Sequence, residues 1–182
     1  AERLGDLDRA RAHYDAALQL DPRLRPPLRA LRRVERTLGN FGDAIGHLDA
    51  EIELASAMEK RALKAYRADL LMATEEQDLA RVAVGELLDE SPADVRALLA
   101  HLELAWVDGR RGEIAQALER LAAAVADQEL AGAMQRVRGD LLEASGEDGR
   151  AAFEAALSTK PNDRLAWLGL LQRASRVGDD AA

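Results

Sequence analysis

Phe153-Glu154-Ala155-Ala156-Leu157-Ser158-Thr159-Lys160-Pro161 closes a phrase that the chain writes three times. The earlier copies are Ala10-(x3)-Tyr14-(x2)-Ala17-Leu18-(x3)-Pro22 and Ala80-(x3)-Val84-(x2)-Leu87-Leu88-(x3)-Pro92. Their closing prolines, Pro22, Pro92 and Pro161, stand 70 and then 69 residues apart. That interval is two units of about 34–35 residues, and a fixed period of this size marks a stacked-repeat architecture. It also turns the functional question from catalysis towards binding.

Working outward from the prolines, apolar residues recur three and four apart, with no sustained two-residue alternation, so nearly all of the chain reads as helix. The 182 residues are 48% hydrophobic and 32% charged, but only 3% aromatic. The core must therefore be built from Ala, Leu and Val, which suits close helix packing. Punctuation falls at Gly5-Asp6, Asp21-Pro22, Gly39-Asn40, Ser91-Pro92, Gly109 to Gly112, Gly146 to Gly149 and Lys160-Pro161. The pattern predicts ten helices, over 6–20, 26–38, 41–55, 59–74, 78–90, 93–108, 113–125, 129–144, 148–158 and 164–177. No Gly or Pro interrupts the chain between Gly46 and Gly85, so one long helix across residues 55–59 is the alternative there. Ser91-Pro92 with Asp94 reads as a helix start, with Ser as cap and Pro at the first helical position.

These residues resemble the tetratricopeptide repeat, a helix-turn-helix unit with a Trp, a Leu-Gly pair and a Tyr early and Ala, an aromatic, Ala and Pro later. Gly5, Ala10, Tyr14, Ala17 and Pro22 match its turn glycine, small residues, aromatic and closing proline. Phe153, Ala156 and Pro161 repeat that ending, and Ala166-Trp167 with Leu170, Leu171, Ala174 and Gly178 match a following first helix. Gly39, Ala44 and Leu48 are a weaker copy. The second unit departs from the pattern, with Leu28 in the place of Trp and Arg32 in that of a small residue. Leu63-Tyr66-Leu70 and Val95-Leu99-Leu102-Trp106 are the candidate buried stripes of the third and fourth units. The resemblance implies an all-α, right-handed α-solenoid of about five repeats over residues 1–182, its first and last units incomplete. Leu165, Trp167, Leu168, Leu170 and Leu171 surround more of the last helix than one apolar stripe needs. Further helices of a longer protein, a partner, or a second copy making a homo-oligomer through this helix are the expected covers.

Little in the chain converges on chemistry. Without cysteine there is neither a disulfide nor a thiolate metal site. His13 and His47 fall on successive second helices and His101 on a later first helix. Packed helix axes lie about 8–10 Å apart, against Zn–N bonds of about 2.0–2.1 Å, so no metal or other cofactor is expected. Gly109-Arg110-Arg111-Gly112 lacks the Gly-Lys-Ser/Thr ending of a phosphate loop and follows a helix. The acid pairs Glu75-Glu76, Glu147-Asp148 and Asp179-Asp180 read as caps or solubilising groups. No catalytic residue is proposed, and the chain is expected not to be an enzyme. A net charge of −8 argues against nucleic acid as the main partner, and no apolar run is long enough to span a membrane.

Binding has more to stand on. In the resembled family the first helices line a concave groove, which places Arg29, Arg33 and Arg36 of the second unit on the inner face. With Leu63-Tyr66-Leu70 buried, Arg61 and Lys64 join them. Arginine forks suit carboxylates, so an acidic peptide is the expected ligand of a non-enzymatic protein-binding scaffold. The competing reading is a solvated face paired with Glu35, Glu59 and Asp69. Trp106 and Met72 are read as core in preference to groove anchors. The alternative role is a self-association or spacer module of a larger bacterial envelope, export or regulatory protein.

Overall fold

The computed structural model describes residues 2–74 and 76–179, so Glu75 and Asp180 of the acid pairs lie outside the described residues. Ten helices and no strand occur among the described residues. They are α1 Glu2–Leu20, α2 Arg25–Leu38, α3 Phe41–Glu53, α4 Ala57–Met72, α5 Gln77–Glu90, α6 Val95–Val107, α7 Arg111–Ala124, α8 Gln128–Ala144, α9 Arg150–Thr159 and α10 Arg164–Asp179. The chain divides into two compact units, Ala1–Leu87 and Leu88–Ala182. In the first, α1 packs on α2, α2 on α3 and α3 on α4. In the second, α6 packs on α7, α7 on α8 and α8 on α9, while α10 packs on both α8 and α9.

Each repeat phrase ends where the sequence places it, but the prolines do not start helices. Pro22, Pro92 and Pro161 sit in turns closed by Leu24 N–H to Asp21 O, Asp94 N–H to Ser91 O and Asp163 N–H to Lys160 O. The helix start expected at Ser91-Pro92 thus falls at Val95, capped by Asp94. The Asp94 carboxylate accepts from Arg96 N–H and Ala97 N–H, and Asp163 does the same for Leu165 and Ala166. A carboxylate satisfies two orphan donors there and also meets the positive end of the helix dipole.

The glycines at 39, 109 and 146 end α2, α6 and the extended last turn of α8 with φ of 82°, 68° and 77°. That left-handed conformation disfavours any residue with a Cβ. The following N–H reaches back to Glu35 O, Ala105 O and Leu142 O respectively, the bond that closes a Schellman turn. Gly5, expected at a turn, instead lies inside α1.

The uninterrupted stretch around residues 55–59 is broken without glycine or proline. Ser56 and Glu59 form a capping box, in which the Glu59 carboxylate accepts from both the backbone N–H and the hydroxyl of Ser56. The third-unit stripe packs as expected, with Leu63, Tyr66 and Leu70 against Ala44 and Leu48. The fourth-unit stripe does so only at Leu102, which packs against Ala105, Ile114 and Leu118. Ala97, Leu98, Leu104 and Ala105 are the buried residues of α6, whereas Leu99 and Trp106 face outward. Trp106 is 64% exposed, contrary to the core role expected of it. The phase error is one residue, enough to rotate a helical stripe by about 100°.

Candidate peptide-binding face

α2 begins with Arg25-Pro26-Pro27, and proline suits this first turn because its missing N–H has no helical partner to lose. From that start, Leu28, Leu31 and Val34 turn into the core and Arg29, Arg33 and Arg36 come out on one exposed face. The three predicted cations share this face but differ in their engagements. Arg29 Nε donates to Glu51 Oε1, and its NH2 lies 3.7 Å from Glu59. Arg36 donates one guanidinium hydrogen bond to Tyr66 Oη at 3.0 Å. The Arg33 guanidinium has no ion-pair or hydrogen-bond partner among the described residues. Arg61 is exposed and Lys64 half-buried on α4, and each has an interaction within the protein.

Behind this face lie two buried carboxylates that sequence reasoning did not place. Glu51 is 0% and Glu35 1% exposed. Glu51 of α3 faces Arg29 and Arg32 of α2, with Arg32 NH2 3.5 Å from its second oxygen. The Arg32 guanidinium also lies 4.7 Å from the centre of the Tyr66 ring, within cation–π range. Glu35 takes Arg11 of α1 at 2.9 Å and Asn40 Nδ2 at 2.8 Å. Glu35 was read as a partner on a solvated face, but it is an internal link between α1, α2 and the start of α3.

The signal that could have found them is the repeat offset. Glu35, Glu51 and Arg32 occupy positions filled 70 residues later by Ala105, Leu121 and Leu102, which is core register. Burial of a charge requires a partner, and the surrounding arginines supply it from the rim with their heads partly in water.

A second clamp ties the starts of α2 and α4 together. Arg25 donates to both Glu59 oxygens, at 2.9 and 3.2 Å. With Ser56 as further donor, this holds the Glu59 carboxyl down at about 2, since every donor favours the ionised form. The same network engages the Arg29 head through Glu51 and Glu59 and does not reach the Arg33 guanidinium.

The histidines stay on separate helices, α1, α3 and α6, and no group of three or more His, Asp or Glu able to hold a metal occurs among the described residues. No helix among them is long and apolar enough to cross a membrane.

No family model matches the chain, and no curated protein matches it. Solved structures do. YrrB, described as a TPR protein with an unusual peptide-binding site, is 17% identical, with a TM-score of 0.55 over 91% of this chain and 84% of that one. The MamA protein is 19% identical, with a TM-score of 0.56 over 86% and 84%. A tetratricopeptide repeat protein from Parabacteroides merdae is 17% identical, with a TM-score of 0.51 over 93% and 78%. Together with the proline-closed helix pairs and their glycine turns, these likenesses give the chain the fold of the tetratricopeptide repeat proteins.

Proposed function

We propose that this chain is a protein-binding scaffold whose α2 face takes an acidic peptide segment, with Arg33 as the principal contact and Arg36 beside it. The observation that carries this reading is the open Arg33 guanidinium, one turn from a second arginine. An arginine fork without an internal carboxylate retains its bidentate geometry for a ligand. Arg61 and Lys64 of α4, which the sequence reading sets in the same groove, would add positive potential there and favour encounter with acidic segments. The peptide-binding site named for YrrB is consistent with this role for the fold. Function is nonetheless argued from the residues of this chain.

The test is fluorescence anisotropy with a fluorescein-labelled peptide rich in glutamate and ending in a free carboxylate. Arg33→Glu is expected to weaken binding by about ten-fold or more, and Arg36→Glu by less, while Arg164→Glu on α10 leaves it unchanged. Equal affinity for the parent protein and Arg33→Glu at low salt would refute the assignment.

A further inference from the structure

The 70-residue offset that carries Pro22 to Pro92 also carries Gly39 to Gly109, and so sets the register of α2 on that of α6. Buried positions correspond, since Leu28 and Val34 fall on Leu98 and Leu104, all four of them inside the protein. The exposed positions correspond as well, but their chemistry is opposite. Arg29, Arg33 and Arg36 fall on Leu99, Glu103 and Trp106. Leu99 is 47% and Trp106 64% exposed, and Glu103 between them is exposed too.

Neither polar group of this face is used internally. Among the described residues the Glu103 carboxylate has no ion-pair or hydrogen-bond partner, and the Trp106 indole has neither an acceptor for its N–H nor a cation over its ring. Arg110, one turn beyond Trp106, is taken by Asp108 at 3.2 Å and Glu113 at 2.9 Å. A carboxylate and an aromatic three residues apart stand side by side on a helix, with Cβ atoms about 5–6 Å apart.

The chain itself shows what such a pair holds. In the first unit the Arg32 guanidinium lies 4.7 Å from the centre of the Tyr66 ring, and its NH2 lies 3.5 Å from Glu51 Oε2. One aromatic face and one carboxylate there share a single arginine. On α6 the same two groups face solvent.

We propose that this face of α6 binds an arginine supplied by a partner protein, in a segment that also carries an apolar residue. The guanidinium stacks on the Trp106 ring and donates to Glu103, while the apolar residue covers Leu99. Leu99 and Trp106 are seven residues apart, about 10 Å along the helix. An extended segment covers that distance in about three residues, so the ligand carries an arginine and a leucine three positions apart. Tryptophan is the strongest aromatic partner for a cation, and the guanidinium is more weakly hydrated than an ammonium, so arginine is preferred to lysine. The inference does not rest on the acidic-peptide reading, since it concerns another helix and a ligand of opposite charge.

The test uses a capped heptapeptide with arginine at its centre, leucine at both ends and alanine elsewhere, so that either chain direction offers a leucine three positions away. Calorimetry on the unaltered protein is expected to show saturable binding, weakened about ten-fold when citrulline replaces arginine and by less with lysine. In the Trp167→Phe protein, where Trp106 is the sole tryptophan, the same peptide should change the emission and shield the ring from acrylamide. Glu103→Gln, on the exposed face, should weaken binding several-fold. No saturable binding at millimolar peptide, or binding that leaves Trp106 emission unchanged, would overturn the site. Equal affinity for the arginine and citrulline peptides would overturn the assignment of a cation. A ring already shielded without peptide, with mass rising with concentration in sedimentation, would show a second copy on this face and overturn the proposal. A labelled glutamate-rich peptide should bind Glu103→Gln as it binds the parent, so the two ligand readings fail separately.

Discussion

In the first unit α2 meets its neighbours through Arg32, Glu35 and Glu51, whereas the second unit places Leu102, Ala105 and Leu121 at the same offsets of α6 and α7. Further along the second unit, α8, α9 and α10 close on a single aromatic. Phe153 is fully buried between Gly139 and Gly169, where an added Cβ would lie 2.7 and 2.4 Å from its ring. One region joins its helices by long ion pairs reaching in from the rim, the other by removing side chains so that backbones approach. The backbone repeat is compatible with either. It demands a filled, neutral interior rather than a particular composition, and arginine stems lying along apolar surface meet that demand as carbon does.

The largest blow to this contrast falls on the aromatic side. Phe153→Ala should destabilise the protein by about 3–5 kcal/mol, measured by urea unfolding, because three helices lose a shared knob and a cavity remains. A cost under about 1 kcal/mol would mean that the glycines, not the ring, hold α8 to α10. Next comes a pair of identical changes with opposite expected signs. Gly169→Ala drives a methyl into the Phe153 ring and should cost about 1–3 kcal/mol. Gly46→Ala, on α3 with nothing within 4 Å of the new atom, should gain about 0.5–1 kcal/mol from helix propensity.

The ionic side is sharpened by transplanting the later residues into the earlier positions. Arg32→Leu, Glu35→Ala and Glu51→Leu together should leave stability unchanged or raise it by about 1–2 kcal/mol. All three groups are incompletely satisfied, since Arg32 Nε, Glu35 Oε1 and Glu51 Oε2 are buried without a hydrogen bond. Glu51→Ala alone should destabilise, because it leaves Arg32 beside an emptied site. A stable single variant and an unfolded triple one would reverse the argument. The smallest effect expected is that of pH on Glu59. Its carboxyl is held at about 2 in the folded state against an ordinary 4.5, so it stabilises the fold fully above the ordinary value. That contribution is lost as pH falls through about 2. Glu59→Gln should accordingly be less stable than the parent at neutral pH, with the gap closing on acidification in thermal melts.

How much of this was legible follows from where the information lies. The helix pairs, their order and the glycine turns could be read because proline and glycine act through backbone geometry, which is local. Asp94 was overlooked as a cap because Pro92 drew the start of α6 two residues early, whereas the start of α10 at Arg164 was read in place. The break at residues 54–56 was left open because a capping box is made of ordinary Ser and Glu. That Arg29, Arg33 and Arg36 come out together on an exposed face of α2 follows from helical spacing, but their engagement could not be read there. Whether Arg29 or Arg33 is open depends on Glu51 and Glu59, which the fold brings in from two other helices. The one-residue phase error in α6 has the same origin, since Leu98 and Leu99 are equivalent to a periodicity argument until a neighbouring helix selects between them.

The Glu59 carboxylate caps α4 and clamps Arg25 of α2, and this double duty has a kinetic consequence. Two helix starts that are remote in sequence share one fastening, so they fray as a pair rather than independently. In amide hydrogen exchange the first turns of α2 and α4 should open with a common free energy. Loss of that one carboxylate should accelerate both sets of amides together while those in the interior of α3 keep their slow rates.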